Sequence, residues 1–465
     1  MSRTESELCF DPRVCVILTG PPVDYCESRL QLALERAARL LGWSDDKNTF
    51  GAIVDEQDRV LIKPNLVMDH NQGPWGLEPL ITHSALIYAA AKGVLQSNPS
   101  HVLVGDAPLQ SCDFATLIHE SGLINYSTEL ENADHRFKGI ADFRRTTCEF
   151  MAGVRIPDEN LRPLDQFVLF DLKNESLLDE VTDQQHPFRV TCYDPNLMAR
   201  THSKGRHEYL VAREVLDSSL VVNMPKLKTH RKAGMTCSLK NLIGINGNKE
   251  YLPHHRLGGS RSGGDCYPGK STVKSALERT LDRANSAGTF ASAFLWRQAA
   301  EQLTRAISIG GDQLGVEGAW SGNGTIWRTC LDLNRVLLYG RPDGTLSDEV
   351  QRRVLHIADA IVAGHGDGPL RPQPLPLGVI VAGNNAAAVD WVSAHLLGYD
   401  PDRIPCVRNA FDDFRWPLSW VQPDDIVVLG DLGTSIESIV RFRKEFVVTY
   451  PPGWLDAMSG AERRA

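Results

Sequence analysis

The stretch LVVNMPKLKTHRKAGMTCSLKNLIGINGN occupies Leu220–Asn248. Its first residues, Leu220, Val221 and Val222, are an apolar run with the β-branched character of a buried strand. Pro225 ends that run, and Lys226, Lys228, His230, Arg231 and Lys232 follow it. After Gly234 a second polar set, Ser238, Lys240, Asn241, Asn246 and Asn248, is threaded through small and apolar residues. Cations and amides just past a buried strand are what an enclosed site for an anion requires, because in open α/β sheets ligands bind beyond the carboxyl ends of the strands.

Working outward, the same order of apolar strand and polar turn recurs. Lys63 and Asn65 follow VLI, Gly105 and Asp106 follow VLV, His365 and Asp367 follow AIVAG, and Asn384, Asn385 and Asp390 follow GVIVAG. Between them lie amphipathic stretches with helical spacing, at Glu27–Leu41, His83–Gln96 and Ala386–Leu397. The alternation predicts an α/β fold, a mostly parallel sheet with flanking helices, in two lobes with a cleft between them. The N-terminal lobe is expected over 10–210, with a β-rich insertion around 134–195. The second lobe is expected over 211–450, with the basic cluster, a helical insertion around 271–345, and a tail at 451–465. If the strands are parallel, the five polar clusters fall along one edge.

The 465-residue chain is 42% hydrophobic and 23% charged, an ordinary globular composition. Its net charge of −9 argues against general nucleic-acid binding, so the basic cluster is a local feature. Ten scattered cysteines form no CxxC pair, which gives no expectation of an iron–sulfur cluster or structural zinc and fits a reduced, cytoplasmic setting. No apolar run is long enough to predict a membrane span.

These residue types suggest roles. Lys63, Asn65, Lys228, Lys240, Asn241 and Asn246 are candidates for holding an anionic substrate. His230, Lys226 and His365 are candidates for acid/base chemistry. Asp106, Asp367 and Asp390 could gather oxygen ligands for magnesium or manganese, and His254-His255-Arg256 reads as a solvated loop. Gly264–Ser271, GDCYPGKS, satisfies the phosphate-loop pattern literally. The preceding LGGSRSG is no buried strand, so ATP is not expected as a ligand. There is no GxSxG or HExxH motif.

VLIKPNLV (Val60–Val67), VVNMPKLKTH (Val221–His230), SLKNLIG (Ser238–Gly244) and GNNAAAVDWVSAHLLGYDP (Gly383–Pro401) together resemble the domain-of-unknown-function 362 family over about Cys15 to Ile404. The resemblance implies a two-lobed α/β architecture, loosely similar to lactate-racemase-like proteins, and no settled activity. Some members are fused to ferredoxin-type cysteine modules, which this sequence lacks. The residues point to an enzyme acting on a small carboxylated or phosphorylated metabolite by general acid/base chemistry, with a divalent metal as an optional aid. Isomerisation or epimerisation, hydrolysis and group transfer stay open. The alternatives are a non-catalytic anion carrier of a biosynthetic pathway and, third, an ATP-dependent enzyme. Neither a nucleic acid nor a membrane is an expected partner.

Overall fold

Strict alternation builds the centre of the molecule. In Arg59–Pro64, Val60 and Ile62 enter the core on one side of a sheet while Leu61 enters the other. Leu220 and Val222 oppose Val221 in the same way, as Val379 and Val381 oppose Ile380 and Ala382. A sheet apolar on both faces must be covered on both. The computed structural model, which describes residues 8–45, 47–156 and 159–460, shows that three-layer arrangement.

Eleven strands form the sheet: β1 (Arg13–Leu18), β2 (Arg59–Pro64), β3 (His101–Asp106), β4 (Phe137–Asp142), β5 (Leu220–Met224), β6 (Lys226–His230), β7 (Gly234–Thr236), β8 (Arg353–Asp367), β9 (Arg371–Leu375), β10 (Val379–Gly383) and β11 (Val427–Gly430). Their order is β11-β1-β10-β8-β5-β2-β3-β4, with β6 and β9 on β8 and β7 on β6. The run β8-β5-β2-β3-β4 is parallel throughout. Helices α1 (Glu27–Leu41) and α2 (Ser84–Gln96) pack on one face. On the other lie α3 (Ser238–Asn241), α4 (Ile326–Tyr339) and α5 (Ala386–Leu396). Helix α1 buries Leu30, Leu34, Ala37, Ala38 and Leu41 on one stripe. It ends where Gly42 turns left-handed at φ 75°.

Strand β8 is 15 residues long and serves two consecutive strands on each edge. Its first half pairs with β5 and β10, its second with β6 and β9. Proline has no N–H and interrupts a ladder. Pro225 divides β5 from β6, and its carbonyl accepts the Asp359 amide at 2.8 Å. The basic cluster is therefore not a turn: Lys226–His230 is a strand that continues past the carboxyl ends of β5 and β2. This extension, with the hairpins β6–β7 and β8–β9, raises a wall above the parallel edge.

Other expectations change with the topology. Strand β10 runs antiparallel to β8, so Asn384 and Asn385 leave the sheet away from that edge. The clusters on one edge are those after β2, β3, β5 and β8. Asn384 accepts from the Trp43 indole at 2.9 Å, and Asn385 caps α5 through Ala387 N at 3.0 Å. Phe137–Asp142 belongs to the main sheet rather than to a β-rich insertion, whereas Phe167–Asp171 pairs antiparallel with Arg206–Ala212 outside it. One sheet draws strands from both sides of the 210/211 boundary. In the expected tail, 461–465 lie outside the described residues, while Trp454 is buried and its indole donates to Arg231 O at 2.6 Å.

Lys226 lies within this frame. Fully buried, its ammonium is 2.6 Å from Asp359 and donates to the Tyr25 hydroxyl at 2.9 Å and to Val362 O at 3.2 Å. Tyr25 in turn donates to Asp359 and stacks on His83 at 3.6 Å. Removing one partner strands a buried charge at a cost of about 3–5 kcal/mol. Asp359→Ala should therefore lower the unfolding free energy by about that amount in urea titrations, with the paired Lys226→Met/Asp359→Leu exchange costing less.

Candidate functional site

Residues beyond the parallel edge enclose a cavity of about 470 Å³, within the usual range for small-molecule sites. Asn65 enters from the end of β2, Asp106 from β3, Lys228 and His230 from β6, and Asp367 and Arg371 from the β8–β9 hairpin. Lys240, Asn241 and Gly244 form the floor with Lys249 and His254, while Arg231, Lys232 and Glu317 complete the rim.

A fully hydrogen-bonded chain fixes the floor. The buried Lys63 ammonium donates to Asp106 Oδ1 at 2.6 Å, Pro64 O at 2.8 Å and Asn241 Oδ1 at 3.3 Å. Its three donors are thereby used. Asp106 also accepts the amides of Leu66 at 2.6 Å and Ala107 at 2.9 Å. Asn241 Nδ2 donates to Asn223 Oδ1 at 2.8 Å, and Asn223 Nδ2 donates to His356 Nδ1 at 3.0 Å. Lys63, Asn223 and His356 occupy one rung of adjacent strands. Burial pushes the His356 imidazole down to about 3, so it is neutral and free to accept. Gly244 passes so near that a Cβ there would lie 2.0 Å from Asp106 Oδ1 and 2.7 Å from Lys63 Nζ. Only glycine allows that approach.

The walls are different. Lys228 is 1% exposed and donates to Leu80 O, and no carboxylate pairs with it among the described residues. Lys232, Lys240 and Lys249 likewise lack an acidic partner among those residues. Burial, reinforced by Lys226 and Lys240, takes Lys228 well below the ordinary lysine range. Burial and Lys240 lower Lys249 to about 8. Arg231 is paired with Asp367 at 3.2 Å.

Two imidazoles line the cavity as opposite tautomers. His230 Nδ1 accepts the amides of Lys232 at 3.0 Å and Ala233 at 3.3 Å, so its proton resides on Nε2. His254 Nδ1 lies 2.6 Å from Leu252 O, an acceptor only, so this nitrogen is protonated and Nε2 carries the lone pair. Burial and the neighbouring lysines lower both well below the ordinary histidine range.

Of the residues singled out in the sequence, the cavity brings together Asn65, Asp106, Lys228, His230, Lys240, Asn241 and Asp367, with Lys63 directly behind Asp106. Lys226, His365, Asn246 and Asp390 are not in its lining. His365 Nδ1 accepts the Thr449 amide at 3.0 Å, and Asn246 accepts Leu210 N at 2.8 Å. Asp390 projects from α5 and accepts the amides of Ser238 at 2.7 Å and Leu239 at 3.0 Å, capping α3. Burial raises it to about 7. The expected Asp106, Asp367 and Asp390 set therefore does not converge. Among the described residues, no group of three or more His, Cys, Asp or Glu side chains is placed to share a metal ion. Lys249, His254, Arg371 and Glu317 were missed; only His254 had a signal, the His-His-Arg run. Gly264–Ser271 lies outside the cavity, with Ser271 capping the helix Thr272–Asn285 through Lys274 N at 3.2 Å.

A family described as "Domain of unknown function (DUF362)" matches residues 178–395. The match spans a little under half of the chain. The matched span is narrower than the resemblance predicts and excludes VLIKPNLV. It includes all six lysines and arginines of the lining, while Asn65 and Asp106 reach the cavity from outside the matched span. The chain is 24% identical over 236 residues to the thylakoid-associated protein sll1697 of Synechocystis sp., matching 49% of this chain and 50% of that one. It thus spans about half the length of that relative. A crystal structure of a Thermotoga maritima protein aligns with a TM-score of 0.32 and 11% identity, covering 79% of this chain and 58% of that chain. No helix among the described residues is long and apolar enough to cross a membrane.

Lys249 supplies a test of this electrostatic environment. Its folded pKa lies below the unfolded value, so the unfolded chain holds more protons between about pH 8 and 10.5, and stability rises with pH across that window. Lys249→Met should be more stable than the unsubstituted protein at pH 7, by about 3 kcal/mol. Chemical denaturation at pH 7 and pH 10 should show the gap closing; a constant gap would mean that the ammonium is not under strain.

Proposed function

We propose that this cavity is the active site of an enzyme that binds a small carboxylated or phosphorylated metabolite and moves a proton on it. The observation that carries the proposal is the set Lys228, Lys232, Lys240 and Lys249 around one cavity without a carboxylate partner among the described residues. Two like charges 4 Å apart repel by about 4 kcal/mol at an effective dielectric of 20. A bound anion removes that penalty.

The tautomers divide the chemistry. His254 Nε2 is the free lone pair and serves as the general base that accepts a substrate proton and returns it. His230 Nε2–H is a neutral donor that stabilises negative charge developing on a substrate oxygen. This pairing favours isomerisation or epimerisation over hydrolysis or group transfer. Where a magnesium or manganese ion accompanies the anion, Glu317 on the rim is the carboxylate available to it, since Asp367 is held by Arg231. A cytoplasmic site of action rests on the scattered cysteine pattern.

The test is solvent exchange. Phosphorylated and carboxylated metabolites incubated with the protein in D2O are followed by mass spectrometry, and phosphate binding is measured in parallel by calorimetry. Exchange into one metabolite is expected, falling about 10²–10⁴-fold in His254→Gln with phosphate affinity retained. Lys240→Met should instead weaken phosphate about tenfold, in line with the loss of one charge-assisted contact. Tight binding without exchange in any metabolite would replace the enzyme by the carrier reading.

A further inference from the structure

The charges around the cavity constrain its ligand further. Asp106 is neutralised by Lys63, and Asp367 is matched by Arg231. Setting those pairs aside leaves Lys228, Lys232, Lys240, Lys249 and Arg371 facing Glu317 alone. With every one of these groups protonated the excess is four positive charges, more than a monocarboxylate or one phosphate monoester can balance, and the depressed lysines reach that state only against an anion. Lys228 and Lys249 are buried, so solvent supplies little of their compensation and a ligand must, whereas Arg371 is exposed.

The cations are also spread out. Lys228 belongs to β6, Lys232 to the β6–β7 turn, Lys240 to α3, Lys249 to the segment beyond it, and Arg371 to the start of β9. The volume of about 470 Å³ corresponds to roughly fifteen waters at ~30 Å³ each, far more room than orthophosphate fills.

We infer that the ligand is a polyanion with two separate anionic groups and at least three negative charges, such as a phosphorylated carboxylic acid, a diphosphate or a tricarboxylate. This rests on reading the cavity as an anion site and narrows the class that enters it. One anionic group meets the floor cations Lys240 and Lys249, and the other meets the wall cations Lys228 and Arg371. Burial holds Lys249 at about 8, and an anion seated against it restores its proton. Binding is then coupled to proton uptake.

Calorimetry on the full chain at pH 8 tests this with orthophosphate, glycolate, 2-phosphoglycolate, pyrophosphate and citrate, each in two buffers of different ionisation enthalpy. At least one of the three multiply charged probes should bind tenfold or more tighter than both orthophosphate and glycolate, with net proton uptake. Lys249→Met should reduce the uptake, the remainder falling on Lys228, and Arg371→Met should erase the preference for two-ended probes. Equal affinities for all five probes, with Lys240→Met still weakening orthophosphate, would overturn the polyanion inference alone. No binding of any probe, with Lys240→Met unchanged from the parent in thermal stability with each of them, would overturn both this inference and the anion-site reading beneath it.

Discussion

A buried ammonium group must meet a compensating charge or forfeit its own, and this structure meets the requirement in two ways. Lys63 and Lys226 are closed off, each against an aspartate at 2.6 Å. Lys228, Lys240 and Lys249 are left open toward a cavity. Closed pairs lock elements together: Lys63–Asp106 ties β2 to β3, and Lys226–Asp359 ties β6 to β8. The open lysines are destabilising without a ligand, and a fold tolerates that where binding returns the difference.

The long strand β8 makes the separation possible. Its first half is an interior strand of the apolar sheet. Its second half projects past the carboxyl ends of β2 and β5 and carries β6 and β9 as a raised wall. Pro225 sets the point of change, because it breaks the ladder without turning the chain away. Lysines at alternate positions of β6 thus fall in different settings: Lys226 faces the Asp359 carboxylate, while Lys228, two residues on, reaches the cavity.

Much of this was legible in the sequence. The apolar alternation of Val60–Ile62, Leu220–Val222 and Val379–Val381 announces a two-sided sheet, and β-branched residues at those positions leave little choice of element. Strand direction was not legible, because Gly378–Gly383 reads alike either way; the antiparallel entry of β10 removed Asn384 and Asn385 from the site edge. Lys226 and Lys228 look identical in sequence, and only the long-range Asp359 distinguishes them. Asp390 lies on an ordinary helix face, and nothing local shows that it caps Ser238 and Leu239. His254 was passed over because histidines in glycine-rich loops are usually solvated, and its tautomer depends on a single carbonyl, that of Leu252.

The indole of Trp454 links all this to the last part of the chain. It donates to the carbonyl of Arg231, packs where Gly234 has no side chain, and so supports the β6–β7 hairpin from behind. The contact spans more than two hundred residues. A nascent chain still short of residue 454 can assemble the apolar sheet and its closed ion pairs, yet its hairpin lacks this support. Truncation ahead of Trp454 therefore acts on the raised wall rather than on the sheet beneath it.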